Sequence, residues 1–128
     1  MENCENIKDI LSFIVSLQRN SLCPSNECEG CTRPFLGPNS LISFNTRPIQ
    51  FICCQSDTLW EMPYTLNGTT GTSTTFRVEN VECNCATFRI LAPADEGSTC
   101  PYVLTNSYFT LDTDCILALQ CLSDACAS

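Results

Sequence analysis

The sequence predicts a mainly β protein: an antiparallel β-sandwich or barrel-like sheet of seven to eight short strands, with one N-terminal amphipathic helix. Three observations support this prediction. The 128 residues correspond to one ordinary domain, so residues 1–128 are treated as a single unit. Apolar residues make up 44% of the chain, which is sufficient for one small core. From residue 41 onward, short alternating runs separated by turn residues recur every 8–12 residues or so, a spacing typical of such sheets.

The N-terminal part of the chain is predicted to be a helix followed by a loop. Over residues 5–20 the apolar residues recur at helical spacing, at Ile7, Ile10, Leu11, Ile14 and Leu17. Asn3 or Asn6 is placed to cap this helix, and we expect its apolar stripe to pack on the domain's own core rather than on a neighbouring subunit. Residues 21–40 are rich in Cys, Pro and Gly, and this composition predicts a loop.

The predicted β core covers residues 41–122, and residues 123–128 form a C-terminal tail. Its expected strands are Leu41–Asn45, Pro48–Gln55, Leu59–Leu66, Thr74–Val81, Cys85–Leu91, Tyr102–Asn106, Tyr108–Thr113 and Cys115–Leu122. Pro63 marks the third of these as an edge strand, because proline lacks the N–H that a central strand donates. Residues 67–73 are predicted to be a hairpin turn or a flexible loop. The last segment has a helical alternative, since three of its apolar residues lie three apart.

Alternation along two strands separates an inner face from an outer face. Phe76 and Val78 are predicted to point inward, and Arg77 and Glu79 outward. In the next strand, Ala86, Phe88 and Ile90 point inward, which leaves Cys83 and Cys85 on the outer face with Arg89. We expect Arg77 and Arg89 to lie across from one another. The residues predicted to contribute to subunit interfaces are Arg33, Arg47, Arg77 and Arg89.

Charge and hydropathy exclude several classes of partner. Asp and Glu outnumber Lys and Arg by 14 to 6, for a net charge of −8. Nucleic acids and anionic membranes require a cationic surface, so neither is an expected partner. The N-terminal residues have no positive segment followed by an apolar one, so no signal peptide is predicted. No apolar run approaches the ~18 residues that a membrane-spanning helix needs.

The chain offers little for catalysis, and no enzymatic activity is predicted. It contains no histidine, so the usual Ser–His and Cys–His nucleophiles are unavailable. No glycine-rich phosphate loop is present. Asp112 and Asp114 are interpreted as part of a polar face rather than as paired catalytic carboxylates. We therefore assign no catalytic residue and no cofactor.

Twelve of the 128 residues are cysteines, a frequency typical of disulfide-rich proteins. Three interpretations compete: a zinc site, a soluble binding module with intrachain disulfides only, or a mixture of buried cysteines, internal bonds and bonds between subunits. No metal site is assigned, because Cys28-x-x-Cys31 lacks a second pair of standard spacing. The mixture is preferred, since exposed cysteines are hazardous on a monomer and useful on an assembling unit.

Individual cysteines are assigned from their positions in the predicted elements. Cys53, Cys115 and Cys121 are expected to be simply buried, because free cysteine packs as a small apolar residue. The candidates for intermolecular disulfides are Cys4, Cys28, Cys31, Cys54, Cys83, Cys85 and Cys126.

Five segments, in order along the chain, resemble the CotY/CotZ/ExsY family of cysteine-rich proteins of the spore coat crust and exosporium. They are Cys31–Gly37, Asn45–Pro48, Phe76–Val81, Cys85–Leu91 and Ala118–Leu122. Each motif is short, but five in the same order make the resemblance fairly specific, and it extends over about residues 7–124.

The resemblance implies a structural role in the outer layer of a spore. It implies self-assembly of identical chains, as hexamers, into a hexagonal two-dimensional lattice that is cross-linked by disulfides and acts as a protective barrier. It also implies synthesis in the mother cell cytoplasm without a signal peptide, a final location in the exosporium or coat crust, and contacts with other coat proteins. A soluble disulfide-rich or zinc-stabilised binding module is the alternative.

Overall fold

One α-helix, one short 3-10 helix and seven strands make up the regular structure of residues 6–20 and 44–128, which are the residues that the computed structural model describes. The helix α1 spans Ile7–Asn20. The strands are β1 Ile49–Cys53, β2 Met62–Leu66, β3 Thr69–Ser73, β4 Phe76–Glu82, β5 Cys85–Pro93, β6 Tyr102–Asp112 and β7 Ile116–Cys121. The prediction of a mainly β, antiparallel fold with one N-terminal helix is confirmed.

Five strands form the main sheet, in the order β6-β5-β4-β1-β7. Neighbours are antiparallel throughout, so the edge strands β6 and β7 have the same sense. A short 3-10 helix, Thr113–Cys115, joins the end of β6 to the start of β7. With three linking residues, the Cα atoms of Asp112 and Ile116 lie at most about 14 Å apart, whereas the edges of a flat five-stranded sheet lie about 19 Å apart.

The main sheet must therefore curl over on itself, and its aromatic core shows that it does. Phe51 in β1 and Phe109 in β6 are not on neighbouring strands, yet their ring centroids lie 6.5 Å apart. Phe76 and Phe88 lie between them, with Phe51 at 5.4 and 5.2 Å from the two rings. Within the described residues β6 and β7 do not pair, so the sheet is barrel-like but open.

Helix α1 packs on this core, as its apolar stripe predicts. Asn6 caps the helix by accepting a hydrogen bond from the backbone N–H of Asp9, at 2.9 Å. Leu11 and Ile14 are fully buried in the cluster that contains the aromatic residues. Gln18 is also buried, and its side-chain amide donates to the carbonyl oxygen of Val78 in β4, at 2.8 Å. This bond fixes the helix against the middle of the sheet.

Strands β2 and β3 form a separate two-stranded hairpin. Its turn is Asn67-Gly68, whose φ angles of 53° and 81° both lie in the left-handed region that hairpin turns use. Gly71 pairs with Tyr64 across the hairpin. A Cβ at Gly71 would lie 2.8 Å from Cζ of Tyr64, so the glycine makes room for the ring. The Ser107 hydroxyl accepts a hydrogen bond from the N–H of Thr65, which connects the hairpin to β6.

Several predicted elements differ from the structure. Residues 67–73 are not one loop, because 69–73 form β3 after a two-residue turn. The segments 102–106 and 108–113 belong to one strand, β6, since Ser107 continues the alternation instead of breaking it. The segment 115–122 forms strand β7 and not a helix, because it completes the ladder beside β1. Residues 44–45 are not in a strand, and the rest of the predicted strand 41–45 lies outside the described residues.

The C-terminal residues are part of the folded unit. Ala125 pairs with Thr46 and Ala127 pairs with Tyr102 in isolated β-bridges. The backbone N–H of Leu104 donates to the carbonyl oxygen of Ser128, at 2.8 Å. These bonds hold the end of the chain against the start of β6.

Candidate functional site: a cysteine-rich end of the sheet

Five of the described cysteines are unbonded: Cys53, Cys54, Cys83, Cys85 and Cys115. Cys53 is buried and the other four are exposed. They lie on three segments far apart in sequence: the end of β1, the turn from β4 to β5, and the 3-10 helix after β6. The 3-10 helix, which joins the two open edges β6 and β7 of the curled sheet, contacts both other segments and so brings the three together.

Short contacts join the three segments. Cys54 donates its backbone N–H to the carbonyl oxygen of Cys115, at 2.8 Å. Thr113 donates its N–H to the carbonyl oxygen of Asn84, the residue between Cys83 and Cys85, at 2.7 Å. Cys85 is paired with Asp112 in the β5–β6 ladder. We call the region formed by residues 53–54, 83–85 and 112–115 the thiol end.

The 3-10 helix that carries Cys115 has a local cause in the sequence. The carboxylate of Asp112 accepts the backbone N–H of Asp114 at 2.9 Å and so caps the short helix. Aspartate is favoured at such turns because its short side chain reaches the backbone two residues on. The turn ends the strand β6 and places Cys115 at the surface rather than in the core.

The bonded cysteines lie away from the thiol end. Cys100 and Cys126 form a disulfide with their Cα atoms 4.8 Å apart. Cys100 lies two residues before β6, whereas Cys85 pairs with the last residue of that strand. An eleven-residue strand is about 30 Å long, so this bond and the thiol end are at opposite ends of β6. Cys121, at the end of β7, is also disulfide-bonded.

The buried thiol of the group differs electrostatically from its exposed neighbours. Burial is the main cause that raises the pKa of the Cys53 thiol, and the nearby Cys115 and Cys54 raise this pKa further. A raised pKa lowers the fraction of nucleophilic thiolate at neutral pH. The exposed thiols of this end are therefore the ones suited to form bonds with other molecules.

A groove of about 460 Å³ borders the thiol end, between α1 and the turn after β6. Asn84, Thr113 and Asp114 line one side, and Lys8, the chain's single lysine, lines the other. The side chains of the described residues form no cluster of three or more Cys, Asp or Glu placed to hold a metal ion. The groove therefore places one cationic side chain, Lys8, and one anionic side chain, Asp114, beside the thiol end.

The structure describes four of the seven cysteines that are predicted to form intermolecular disulfides. Cys54, Cys83 and Cys85 are exposed and unbonded, so each remains a candidate for an intermolecular bond. For Cys126 the structure differs from the prediction: its sulfur is bonded to Cys100 in the same chain, because the C-terminal residues pack against the start of β6 instead of extending into solvent. Cys4, Cys28 and Cys31 lie outside the described residues.

Burial was predicted for three other cysteines and is confirmed only for Cys53. Cys121 is half-buried and bonded. Cys115 is exposed and unbonded, and sequence reasoning missed it because it was counted as the first residue of a strand. The preceding Asp112-Thr113-Asp114 was the available signal, since alternating aspartates favour a turn.

The predicted pairing of Arg77 with Arg89 is confirmed by the β4–β5 register. Glu79 lies between their side chains, with Oε2 at 2.6 Å from Nη1 of Arg77 and 3.5 Å from Nε of Arg89. Arg89 also lies over the ring of Tyr108, with Cζ 4.8 Å from the centroid, and donates to its hydroxyl. Tyr108 is 46% exposed, so it presents the outer surface of this group to solvent.

Arg47 was predicted at an interface, and the structure shows that this prediction is wrong. Its side chain is fully buried, because the carboxylate of Asp124 binds it within the chain. The backbone N–H of Arg47 donates to Gln18 Oε1 at 3.0 Å, which ties the ion pair to α1. Arg33 lies outside the described residues.

No helix among the described residues has the length and apolar character needed to cross a membrane. Neither the comparison with curated proteins nor the comparison with solved structures found a match. The model of the family described as Spore coat protein Z matches residues 1–103, which is most of the chain and includes four of the five unbonded cysteines. The chain therefore belongs to the Spore coat protein Z family, and its role is that of a structural protein of the spore coat, at the spore surface.

Proposed function

We propose that this protein is a building block that assembles with copies of itself into a disulfide-cross-linked, two-dimensional hexagonal lattice. The lattice would form the exosporium basal layer or the coat crust and act as a protective barrier. The chain would be made in the mother cell cytoplasm and would contact other coat or exosporium proteins in the finished layer. Its function would be structural and not enzymatic.

The thiol end is the observation that carries this proposal. A bond between chains requires a sulfur that solvent reaches, and Cys54, Cys83, Cys85 and Cys115 are all exposed and unbonded. Exposed free cysteines are avoided on proteins that must remain monomeric, because they react with one another. Four of them on neighbouring segments therefore favour a chain that joins its neighbours through these segments.

The net negative charge of the chain is a physical reason for covalent cross-links between copies. With a net charge of −8, copies of this chain repel one another, and only salt screening reduces that repulsion. A disulfide makes association independent of this repulsion once it has formed, and it lasts until a reductant breaks it. A cross-linked layer thus tolerates changes of ionic strength that would loosen a layer held by surface contacts alone.

A hexagonal sheet also sets geometric requirements. A six-fold ring needs a heterologous contact, in which two different patches meet, and a second type of contact must join the rings. A standard interface buries ~800 Å² on each partner, and the chain has 7561 Å² of accessible surface. Three such contacts would use about a third of this surface, so the required contacts fit on one chain. Tyr108, above the Arg77 and Arg89 pair, is a candidate for one of them.

The test compares the wild-type chain with two variants by non-reducing gel electrophoresis and electron microscopy. The first variant replaces the four exposed cysteines, Cys54, Cys83, Cys85 and Cys115, with serine. The matched control is Cys53→Ala, which removes the buried thiol of the same end. We expect wild type and control to form sheets and a ladder of cross-linked species that reductant removes. The fourfold variant should show a much weaker ladder.

Two results would contradict the proposal in different ways. A wild-type chain that stays monomeric at high concentration, with and without oxidant, would exclude self-assembly. A ladder of unchanged intensity in the fourfold variant would assign the cross-links to other cysteines and remove the thiol end from the proposal.

A further inference from the structure

Two exposed thiols of the thiol end, those of Cys54 and Cys115, lie beside each other within one chain. Cys54 follows β1 directly, and its backbone N–H donates to the carbonyl oxygen of Cys115 at 2.8 Å. Its sulfur lies 3.7 Å from the carbonyl oxygen of Asp114. That oxygen belongs to the peptide group that connects Asp114 to Cys115. The Cys54 sulfur therefore already lies above the backbone of its neighbour.

The register places the two residues at a separation that a disulfide spans. Cys53 pairs with Ile116 in the β1–β7 ladder, so Cys54 and Cys115 are the next pair along. Both residues lie just beyond that ladder and share one backbone hydrogen bond. Antiparallel neighbours have Cα atoms about 4.5–5.5 Å apart, within the 4.4–6.8 Å or so that disulfides require. Because both side chains are exposed, each can change its rotamer without disturbing the core.

We propose that Cys54 and Cys115 form a dithiol site that a small-molecule disulfide oxidises to an intrachain bond, and that this bond is the one that an exposed thiolate of a second chain attacks to form the first cross-link between chains. The second half of this proposal rests on the proposed function. The first half concerns a single chain and is independent of assembly. The substrate class is a low-molecular-weight disulfide, RSSR, for which oxidised glutathione is the probe.

The reaction proceeds in two exchange steps. The thiolate of Cys54, having lost its proton to solvent, attacks one sulfur of RSSR; a mixed disulfide forms and RS⁻ leaves. The thiolate of Cys115 then attacks the Cys54 sulfur, the protein disulfide forms, and a second RS⁻ leaves. The two thiolates released take up the two protons. The protein has lost two electrons, and RSSR has been reduced to two RSH.

The intrachain disulfide would serve as the oxidant for the first cross-link, because it can be exchanged for a disulfide between chains. Its formation does not depend on protein concentration, so it is favoured while the chain is dilute. When chains are concentrated, an exposed thiolate of a second copy, such as that of Cys83, can attack the bond. One interchain disulfide then replaces one intrachain disulfide and one thiolate is released, so no further oxidant is consumed.

The first test uses the full chain at low concentration, purified in mild reductant and transferred to buffer without it. After treatment with oxidised glutathione, the remaining thiols are alkylated and the single-chain species is analysed by mass spectrometry. We expect the mass to fall by about 2 Da before alkylation, for the two hydrogens lost, and a linked pair of peptides containing Cys54 and Cys115. Cys54→Ser and Cys115→Ser should each abolish this linked pair, whereas Cys83→Ser and Cys53→Ser should retain it.

Three results would overturn the dithiol site. They are a linked pair that persists in Cys54→Ser, a link from Cys115 to Cys53, and recovery of glutathione adducts without any Cys54–Cys115 link.

The second test addresses the role of the intrachain bond in cross-linking between chains. Oxidised wild type, reduced wild type and oxidised Cys83→Ser chains are concentrated side by side without further oxidant, and the interchain ladder of each is followed over time; reduced wild type should form no ladder. Oxidised Cys83→Ser chains should cross-link several-fold more slowly than oxidised wild type, because the attacking thiolate is missing. Equal rates would overturn this role of the bond while leaving the intrachain link intact. Failure of wild type to form sheets would instead count against the proposed function.

Discussion

Arg47 and Asp124 lie 77 residues apart in sequence and form a bidentate ion pair in the interior of the protein. Nε of Arg47 donates to Oδ1 of Asp124 at 2.6 Å, and Nη2 donates to Oδ2 at 2.8 Å. Neither side chain is accessible to solvent. The pair connects the segment before β1 to the C-terminal residues, so it fixes the end of the chain to the main sheet.

Removing one partner of this ion pair should be costly. Asp124→Ala removes a bidentate carboxylate from the buried Arg47 guanidinium, and we expect the free energy of unfolding to fall by about 3–5 kcal/mol. Urea denaturation followed by circular dichroism measures the change. The matched control is the double variant Arg47→Met with Asp124→Leu, which removes both charges and should lose less than Asp124→Ala alone. A loss below about 1 kcal/mol for Asp124→Ala, a value typical of surface pairs, would contradict the burial of this pair.

The Cys100–Cys126 disulfide should contribute to stability through the loop that it closes. Its cysteines are 26 residues apart, and loop-closure entropy for this length predicts a contribution of about 3.5 kcal/mol. Replacing both cysteines with alanine should lower the midpoint of urea unfolding accordingly, under conditions that keep the wild-type bond oxidised. Cys83→Ala is the control, because that thiol is exposed and unbonded. Equal midpoints for the double variant and wild type would show that the bond does not form in solution.

The thiols should differ in their rate of alkylation. Burial, with a smaller effect of Cys115 and Cys54, raises the pKa of Cys53, so at a given pH less of it is thiolate. We expect iodoacetamide to modify Cys54, Cys83, Cys85 and Cys115 before Cys53, as measured by mass spectrometry over time.

The raised pKa of Cys53 also determines how its alkylation rate depends on pH. Because its pKa is raised, Cys53 needs a higher pH to reach half-maximal reactivity than an unperturbed thiol, which titrates near ~8.5. The rate at Cys53 should therefore still be rising at pH values where the rate at a free small-molecule thiol has levelled off. Alkylation of Cys53 as early as that of Cys54 at neutral pH would contradict the burial of its sulfur.

The turn of the β2–β3 hairpin should depend on glycine at one position. Gly68 has φ 81°, and a Cβ there would meet no atom within 4 Å, so only backbone strain opposes a side chain. Gly68→Ala should lower the free energy of unfolding by about 1–2 kcal/mol. Asn67→Gly is the control, because asparagine and glycine both tolerate the left-handed conformation. Thermal unfolding measures both, and a neutral effect of Gly68→Ala would exclude this turn type.

The alternation of side chains determined how two central strands lie in the fold. Phe76, Val78, Phe88 and Ile90 are buried as predicted, and the opposite face carries Arg77 and Arg89 across from one another. This was predictable because a strand has a period of two, so a local pattern of apolar and polar residues is enough to orient it. The helix α1 was predictable for a similar local reason, since its stripe and its Asn6 cap are encoded within a few residues of each other.

Contacts between distant residues could not be predicted in this way. Nothing near Arg47 in the sequence indicates that Asp124 binds it, so an arginine that looked suited to an interface is in fact buried. Cys126 looked like an exposed residue near the end of the chain, yet it bonds with Cys100 because the last residues pair with Thr46 and Tyr102.

The amino-acid sequence alone thus determined that this is a mainly β chain of the spore coat type, acidic and rich in cysteine, with one face of each central strand buried. Only the tertiary structure decided which sulfurs are bonded within the chain and which meet at the thiol end. The reason is physical: the side on which a strand is buried depends on its own residues, whereas the neighbours of Cys54, Cys115 and Arg47 depend on how a curled sheet brings together segments that are 60 to 77 residues apart.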